Sequence, residues 1–118
     1  MLDAWLKPQP VAIGRVKRTP TEKREMYERT ASLALYHYDT CMFCARVRAV
    51  IALLSLNIEF RDVVRDSNHR SELIGGGGRS TVPCLRIVDP AGRVTWMYES
   101  ADIIRYLDEE FGRGSETG

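Results

Sequence analysis

Leu33-Ala34-Leu35-Tyr36-His37-Tyr38-Asp39-Thr40-Cys41-Met42-Phe43-Cys44 is the stretch on which the fold turns. Its first six residues form a short apolar and aromatic run suited to a buried strand. After Asp39-Thr40 the period changes: Val47, Val50, Ile51 and Leu54 recur at i, i+3, i+4 and i+7, the apolar stripe of a helix starting near the cysteines. A strand therefore runs into a helix with two cysteines at the junction. Downstream, Asn57 reads as a stop, and Ile58-Glu59-Phe60 alternates and is extended by Val63-Val64 into a second strand. Ser67 can cap a brief helix through Ile74, ended by Gly75-Gly76-Gly77-Gly78. Those four glycines also suit an opening around a ligand, and sequence alone does not choose. Val82 to Val88 and Arg93 to Tyr98 read as strands joined by the turn Asp89-Pro90-Ala91-Gly92. A last helix starts at Glu99-Ser100, buries Ile103, Ile104, Leu107 and Phe111, and stops at Gly112. The order β-α-β-α-β-β-α predicts an α/β domain over residues 32–112: a four-stranded mixed sheet with flanking helices.

Outside this core the chain is less regular. The first twenty residues hold three of the five prolines and no sustained period, so residues 1–31 read as an extended leader. Within it, Thr21 to Thr30 is compatible with a short, polar surface helix, and residues 113–118 read as a flexible tail. The whole chain has 118 residues, enough for one domain, with 44% hydrophobic and 28% charged residues. Its 17 Lys+Arg and 16 Asp+Glu leave a formal net charge of +1, which predicts no affinity for nucleic acid. The leader carries seven basic and four acidic residues, a net +3, and the remainder ten and twelve, a net −2. No run is long and apolar enough to cross a bilayer, and no signal peptide is visible, so the expected setting is cytoplasmic.

Three cysteines cannot make a closed disulfide framework, and in a reducing compartment Cys41 and Cys44 read as redox or metal residues. A helix N-terminus favours a thiolate at Cys41 through unpaired N–H groups and the helix dipole. Cys44, one turn on, is placed to attack a mixed disulfide on Cys41. A zinc site would need about four ligands; Cys84, His37 and His69 are the other candidates, in no paired spacing, and no metal is expected. His37 reads as packed in the first strand and His69 as exposed on the short helix. Thr81-Val82-Pro83 opens the third strand, where a proline removes a ladder hydrogen bond and belongs at the strand's start. Such an X-Pro bond can be cis, leaving the preceding backbone free to pair with an extended peptide. Cys84, directly after Pro83, reads as a half-buried strand residue.

Tyr36 to Cys44, Gly78-Arg79-Ser80-Thr81-Val82-Pro83, and Tyr98-Glu99-Ser100-Ala101-Asp102-Ile103 with Tyr106-Leu107 together resemble a glutaredoxin. The likeness is closest to the N-terminal domain of the glutathione-transferase-like glutaredoxins, and it spans Leu33 to Phe111. It implies a thioredoxin-like fold and a glutathione-dependent thiol–disulfide oxidoreductase. Cys41 would be the nucleophile on a glutathione mixed disulfide and Cys44 the resolving thiol. Val82, before a cis Pro83, would pair its backbone with the cysteinyl part of glutathione. Glu99 and Ser100 would hold the γ-glutamyl end, and Arg79 the glycyl carboxylate. Glu99 and Ser100 also suit plain roles at a helix start, Ser100 as N-cap.

Three departures qualify the likeness. Met42 stands where many glutaredoxins have proline, a change shared with iron–sulfur-binding members, and Phe43 also occurs in their monothiol motif. The alternative implied is a carrier or sensor in which Cys41 and glutathione ligate a [2Fe–2S] cluster. Tyr38 replaces a glutathione-binding lysine, in agreement with the transferase-like branch. The C-terminal helical domain of two-domain transferases is missing, so a general detoxifying transferase is not expected. Expected partners are glutathione and glutathionylated or disulfide-containing proteins. The basic leader, with Leu2, Trp5 and Leu6, offers a lesser expectation of docking to a partner or an anionic membrane surface.

Overall fold

The computed structural model describes residues 15–112. Four strands form one sheet in the order β2-β1-β3-β4: β1 is Leu33–His37, β2 Glu59–Asp62, β3 Cys84–Val88 and β4 Val94–Met97. β1 pairs parallel with β2 and antiparallel with β3, which pairs antiparallel with β4. Four α-helices accompany it: α1, Pro20–Thr30; α2, Met42–Leu53; α3, Ser67–Glu72; and α4, Ser100–Phe111. The mixed four-stranded sheet expected from the sequence is present, with one helix ahead of it.

The period of two along β1 divides the core between the two faces of the sheet. Leu33 and Leu35 face α2 and α4, joining Val47, Val50, Ile51, Leu54, Leu85, Ile103, Ile104, Leu107 and Phe111. Ala34 and Tyr36 face the other way, with Val63, Leu73 and Cys84. Both expected helical stripes are buried in full. Residues ahead of β1 also enter the first cluster: Val16 and Met26 are buried there. Thr19 caps α1 with the reciprocal Glu22 bond, Pro20 fills the first turn, and Thr30 Oγ1 donates to the carbonyls of Met26 and Asn57.

Several boundaries differ from the sequence reading. α2 ends at Leu53 instead of running to Asn57, because Ser55 turns left-handed (φ 56°) and its hydroxyl donates to the Val16 carbonyl at 2.6 Å. Val63 and Val64 lie beyond β2 in a turn that Asp62 organises by accepting from the N–H groups of Val64 and Arg65. Asp66, not Ser67, is the N-cap of α3. β3 starts at Cys84 rather than Val82, and β4 excludes Arg93 and Tyr98.

The glycine run does not stop α3. It carries the chain on through a wide π turn, Leu73–Gly77, which ends where Gly78 adopts φ 91°. A Cβ on Gly76 would strike the Trp96 ring, and one on Gly77 the Tyr98 hydroxyl. The two glycines are therefore a close-packing device that seats this turn on two aromatic residues of the β4 end.

Candidate active site

The sheet register gathers the sequence candidates at one end of the molecule. Tyr36 opposes Cys84 and Leu85 opposes Met97, so moving one or two residues further along each strand brings Tyr38, Pro83 and Glu99 to the same end as Cys41. Tyr38, Val82 and Tyr98 all pack against the cluster that contains Tyr36 and Cys84. Three loops that are remote in sequence thus converge.

Cys41 is the N-cap of α2. Its sulfur accepts the Cys44 N–H at 3.1 Å, and its own N–H donates to the Tyr38 carbonyl at 3.2 Å. The thiol is 8% exposed, while the two residues that follow it are open: Met42 is 70% and Phe43 53% exposed. The nucleophile candidate thus lies at the rim of an accessible apolar surface. Cys44 is fully buried, and that burial, with its hydrogen bond to Cys41, pushes its thiol up to about 12. Burial likewise pushes Cys84 up to about 12, against the opposing effects of Tyr98 and Arg79. The expected half-buried Cys84 is in fact wholly enclosed, because β3 runs between β1 and β4 with its face covered. All three cysteines are free thiols.

The Val82–Pro83 peptide is cis, with Pro83 buried and Val82 half-buried just outside the first pair of the β1–β3 ladder. Glu99, not Ser100, is the N-cap of α4, and its exposed carboxylate makes no capping bond. Ser100 is the first helical residue and half-buried. The first N–H groups of α4 point out of the helix at this end without intrahelical acceptors. Arg79 is exposed and stacked on Tyr98, its guanidinium carbon 4.3 Å from the ring centroid. The Tyr98 hydroxyl accepts the Arg79 N–H at 3.3 Å and donates to the Arg79 carbonyl at 3.0 Å, tying the loop before Pro83 to the end of β4.

Two contributors escaped the sequence reading. Tyr98 bonds to the Arg79 backbone and packs against the cluster that holds Cys84, a contact that no local spacing announces. Arg48 bonds to the last residue of β1 and the first two of the β1–α2 loop; its place four residues after Cys44 and seven after Cys41, on one helix face, was the available signal. His37 is buried as expected. His69 is only half-exposed, its ring edge-on to Tyr36 at 6.5 Å. Among the described residues no group of three or more His, Cys, Asp or Glu side chains is placed to hold a metal ion.

Residues 35–115 match the family "Glutathione S-transferase, N-terminal domain". The chain belongs to this family. The glutathione-transferase-like domain is 29% identical over 86 residues to glutaredoxin 2 of Escherichia coli K12, a match covering 73% of this chain and 37% of the relative. It is likewise similar to maleylacetoacetate isomerase from Anaeromyxobacter dehalogenans, solved with dicarboxyethyl glutathione and citrate in the active site. That match has a TM-score of 0.53 and 29% identity, covering 68% of this chain and 37% of that one. A thioredoxin-like protein, 20% identical with a TM-score of 0.53, shares the fold over 67% of this chain and 92% of its own. The glutathione-transferase-like domain thus has a thioredoxin-like fold and spans 37% of the length of the curated relatives it matches. No helix among its described residues is long and apolar enough to cross a membrane.

Proposed function

We propose that this domain binds glutathione and acts as a glutathione-dependent thiol–disulfide oxidoreductase, with Cys41 as its nucleophile. The observation that carries the reading is the Cys41 sulfur at the α2 N-cap, accepting a backbone N–H at 3.1 Å beside exposed Met42 and Phe43. Donated N–H groups and the helix dipole favour negative charge on that sulfur. The relatives' association with glutathione supports the same ligand here.

Glutathione fits the convergence of loops as an extended peptide. The backbone of Val82 meets its cysteinyl residue, and the α4 N-terminus receives the γ-glutamyl carboxylate. The uncapped Glu99 carboxylate faces the ammonium, and Arg79 offers a guanidinium to the glycyl carboxylate. Tyr38 lines the same end. In the first step the Cys41 thiolate attacks the glutathione sulfur of a mixed disulfide. The Cys41–glutathione bond forms, the substrate's S–S bond breaks, and the substrate leaves as a thiolate that takes a proton from water. A second glutathione thiolate then attacks the sulfur held by Cys41, giving glutathione disulfide and restoring the enzyme thiolate. Cys44 provides the other exit, attacking Cys41 and releasing glutathione as the protein disulfide forms. Its buried thiol, held up to about 12, makes that route the slower one at neutral pH. Such thiol chemistry suits a reducing compartment such as the cytoplasm.

Reduction of a glutathionylated peptide, coupled to glutathione reductase, tests the reading on wild type, Cys41→Ser and Cys44→Ser. Cys41→Ser is expected to lose activity by about a thousandfold or more, since serine is no nucleophile toward sulfur at neutral pH. Cys44→Ser is expected to retain peptide deglutathionylation and lose reduction of protein disulfides. Retained activity in Cys41→Ser removes Cys41 from the mechanism. The iron–sulfur alternative of carrier or sensor rests on Met42 and predicts visible absorption after anaerobic reconstitution with iron, sulfide and glutathione.

A further inference from the structure

Arg48 stands on α2 one turn beyond Cys44. Its Nη1 donates to His37 Nδ1 at 2.9 Å and to the Tyr38 carbonyl at 3.3 Å; its Nη2 donates to the Asp39 carbonyl at 3.2 Å. One guanidinium thus serves three consecutive residues, the last of β1 and the first two of the loop that ends at Cys41. The Tyr38 carbonyl that it holds is the same oxygen that accepts the Cys41 N–H. A second tie to this loop, the Arg65–Asp39 pair at 2.6 Å, lies in solvent and contributes little.

We propose that Arg48 is the positioning residue of the nucleophile: by clamping His37, Tyr38 and Asp39 from α2, it holds the Cys41 sulfur at the N-cap. The inference rests on the reading of Cys41 as the nucleophile. A fork of planar donors suits the task, because three fixed acceptors require directions that a single ammonium cannot satisfy. Without Arg48 the loop keeps the Cys41–Tyr38 turn but loses its side-chain brace from α2, and the sulfur's bond to the Cys44 N–H is no longer enforced.

The clamp also sets the state of His37. A guanidinium has no acceptor, so Nδ1 is the acceptor and the neutral ring carries its proton on Nε2. The charged groups facing this ring are Arg48 from α2, Asp62 from β2 and Asp39 from the loop, with the Phe60 ring at 5.2 Å. Burial first, and the Arg48 charge second, hold His37 below its ordinary 6.5 against the pull of the two carboxylates. The His37 bond of the clamp is therefore in place at neutral pH and is lost only as pH falls through this lowered value, when a proton on Nδ1 takes the lone pair Arg48 uses; the bonds to the Tyr38 and Asp39 carbonyls do not titrate.

Alkylation of Cys41 by iodoacetamide, followed by mass spectrometry from pH 4 to 9, tests this without glutathione or any disulfide. Wild type, Arg48→Lys and Arg48→Leu are compared, each first checked for cooperative thermal unfolding. In Arg48→Leu the midpoint of the rate–pH curve is expected to move up by roughly one pH unit, the scale of a lost N-cap interaction. Arg48→Lys keeps the charge without the fork and is expected to recover less than half of that shift. An unmoved or lowered midpoint in folded Arg48→Leu overturns the proposal. Full recovery by lysine also overturns it, since charge alone would then suffice. Should Arg48→Leu fail to fold, Arg48→Lys decides: an upward shift from wild type supports the clamp, and a coincident curve overturns it. A wild type without glutathione turnover whose variants still shift would sink the proposed activity and leave the positioning role standing.

Discussion

Cys41, Cys44 and Cys84 share a side chain and differ in everything the fold does to it. Cys41 sits at a helix start with its sulfur receiving an N–H; Cys44 and Cys84 are fully enclosed, and burial pushes both up to about 12. Raised values mean that neither buried thiol ionises appreciably at neutral pH, so neither competes with Cys41 for an external electrophile. Brief iodoacetamide treatment of the native protein at pH 7.5 is therefore expected to label Cys41 alone, and labelling in denaturant all three. Peptide mass mapping checks this, and native labelling of Cys84 at a rate near that of Cys41 would contradict its enclosure. The placement of Cys41 and Cys44 was legible, because a Cys-x-x-Cys at a strand-to-helix junction is a local pattern. For Cys84 it was not. Its enclosure depends on β3 lying between β1 and β4 and on Tyr98 closing over it, and neither is encoded within a few residues of position 84.

Glycines 75 to 78 show the same contrast between local pattern and packing at the scale of an element. Four glycines in a row read as a helix exit, which is what backbone preference alone dictates. The structure instead uses Gly76 and Gly77 to bring a π turn against Trp96 and Tyr98, residues some twenty positions away. Periodic elements were readable: the α2 and α4 stripes, the order of elements along the chain and the hairpin all follow from spacing. The π turn was not, because its reason is the absence of a Cβ facing a ring, visible only once the partner is known. Substitution separates the two accounts. Gly76→Ala places a methyl in the Trp96 ring and is expected to cost about 1–3 kcal/mol, the range for overpacking. Gly75→Ala meets nothing within 4 Å and is expected to change stability by less than about 0.5 kcal/mol, as at an ordinary surface site. Urea denaturation of the pair checks the difference. Equal effects would return the run to a simple flexible exit.

Taken whole, the molecule is held together at the end opposite its cysteines by residues that sequence patterning placed in a leader. Val16 is buried in the larger core, its N–H donates to the Leu53 carbonyl at 2.7 Å, and its carbonyl accepts from Ser55. Arg18 then reaches two helix ends at once. Its guanidinium donates to the Leu54 carbonyl at 2.8 and 3.1 Å and to the Phe111 carbonyl at 2.7 Å, where α2 and α4 present their negative poles. Arg29 adds a bond to the Glu110 carbonyl at 3.1 Å and lies over the Phe111 ring. α2 carries Cys41 at its start and α4 carries Glu99 at its start, so fixing their far ends fixes the angle at which the two N-termini approach the proposed glutathione site. Arg18→Ala is expected to cost about 1.5–3 kcal/mol, the range for hydrogen bonds to a charged group. That loss should appear as a lower thermal midpoint while Cys41 alkylation under folding conditions stays near wild type. A substitution that left the midpoint unchanged would mean that packing of Val16 and Met26 alone joins this segment to the sheet, because the two carbonyl groups would then have found water as readily as arginine.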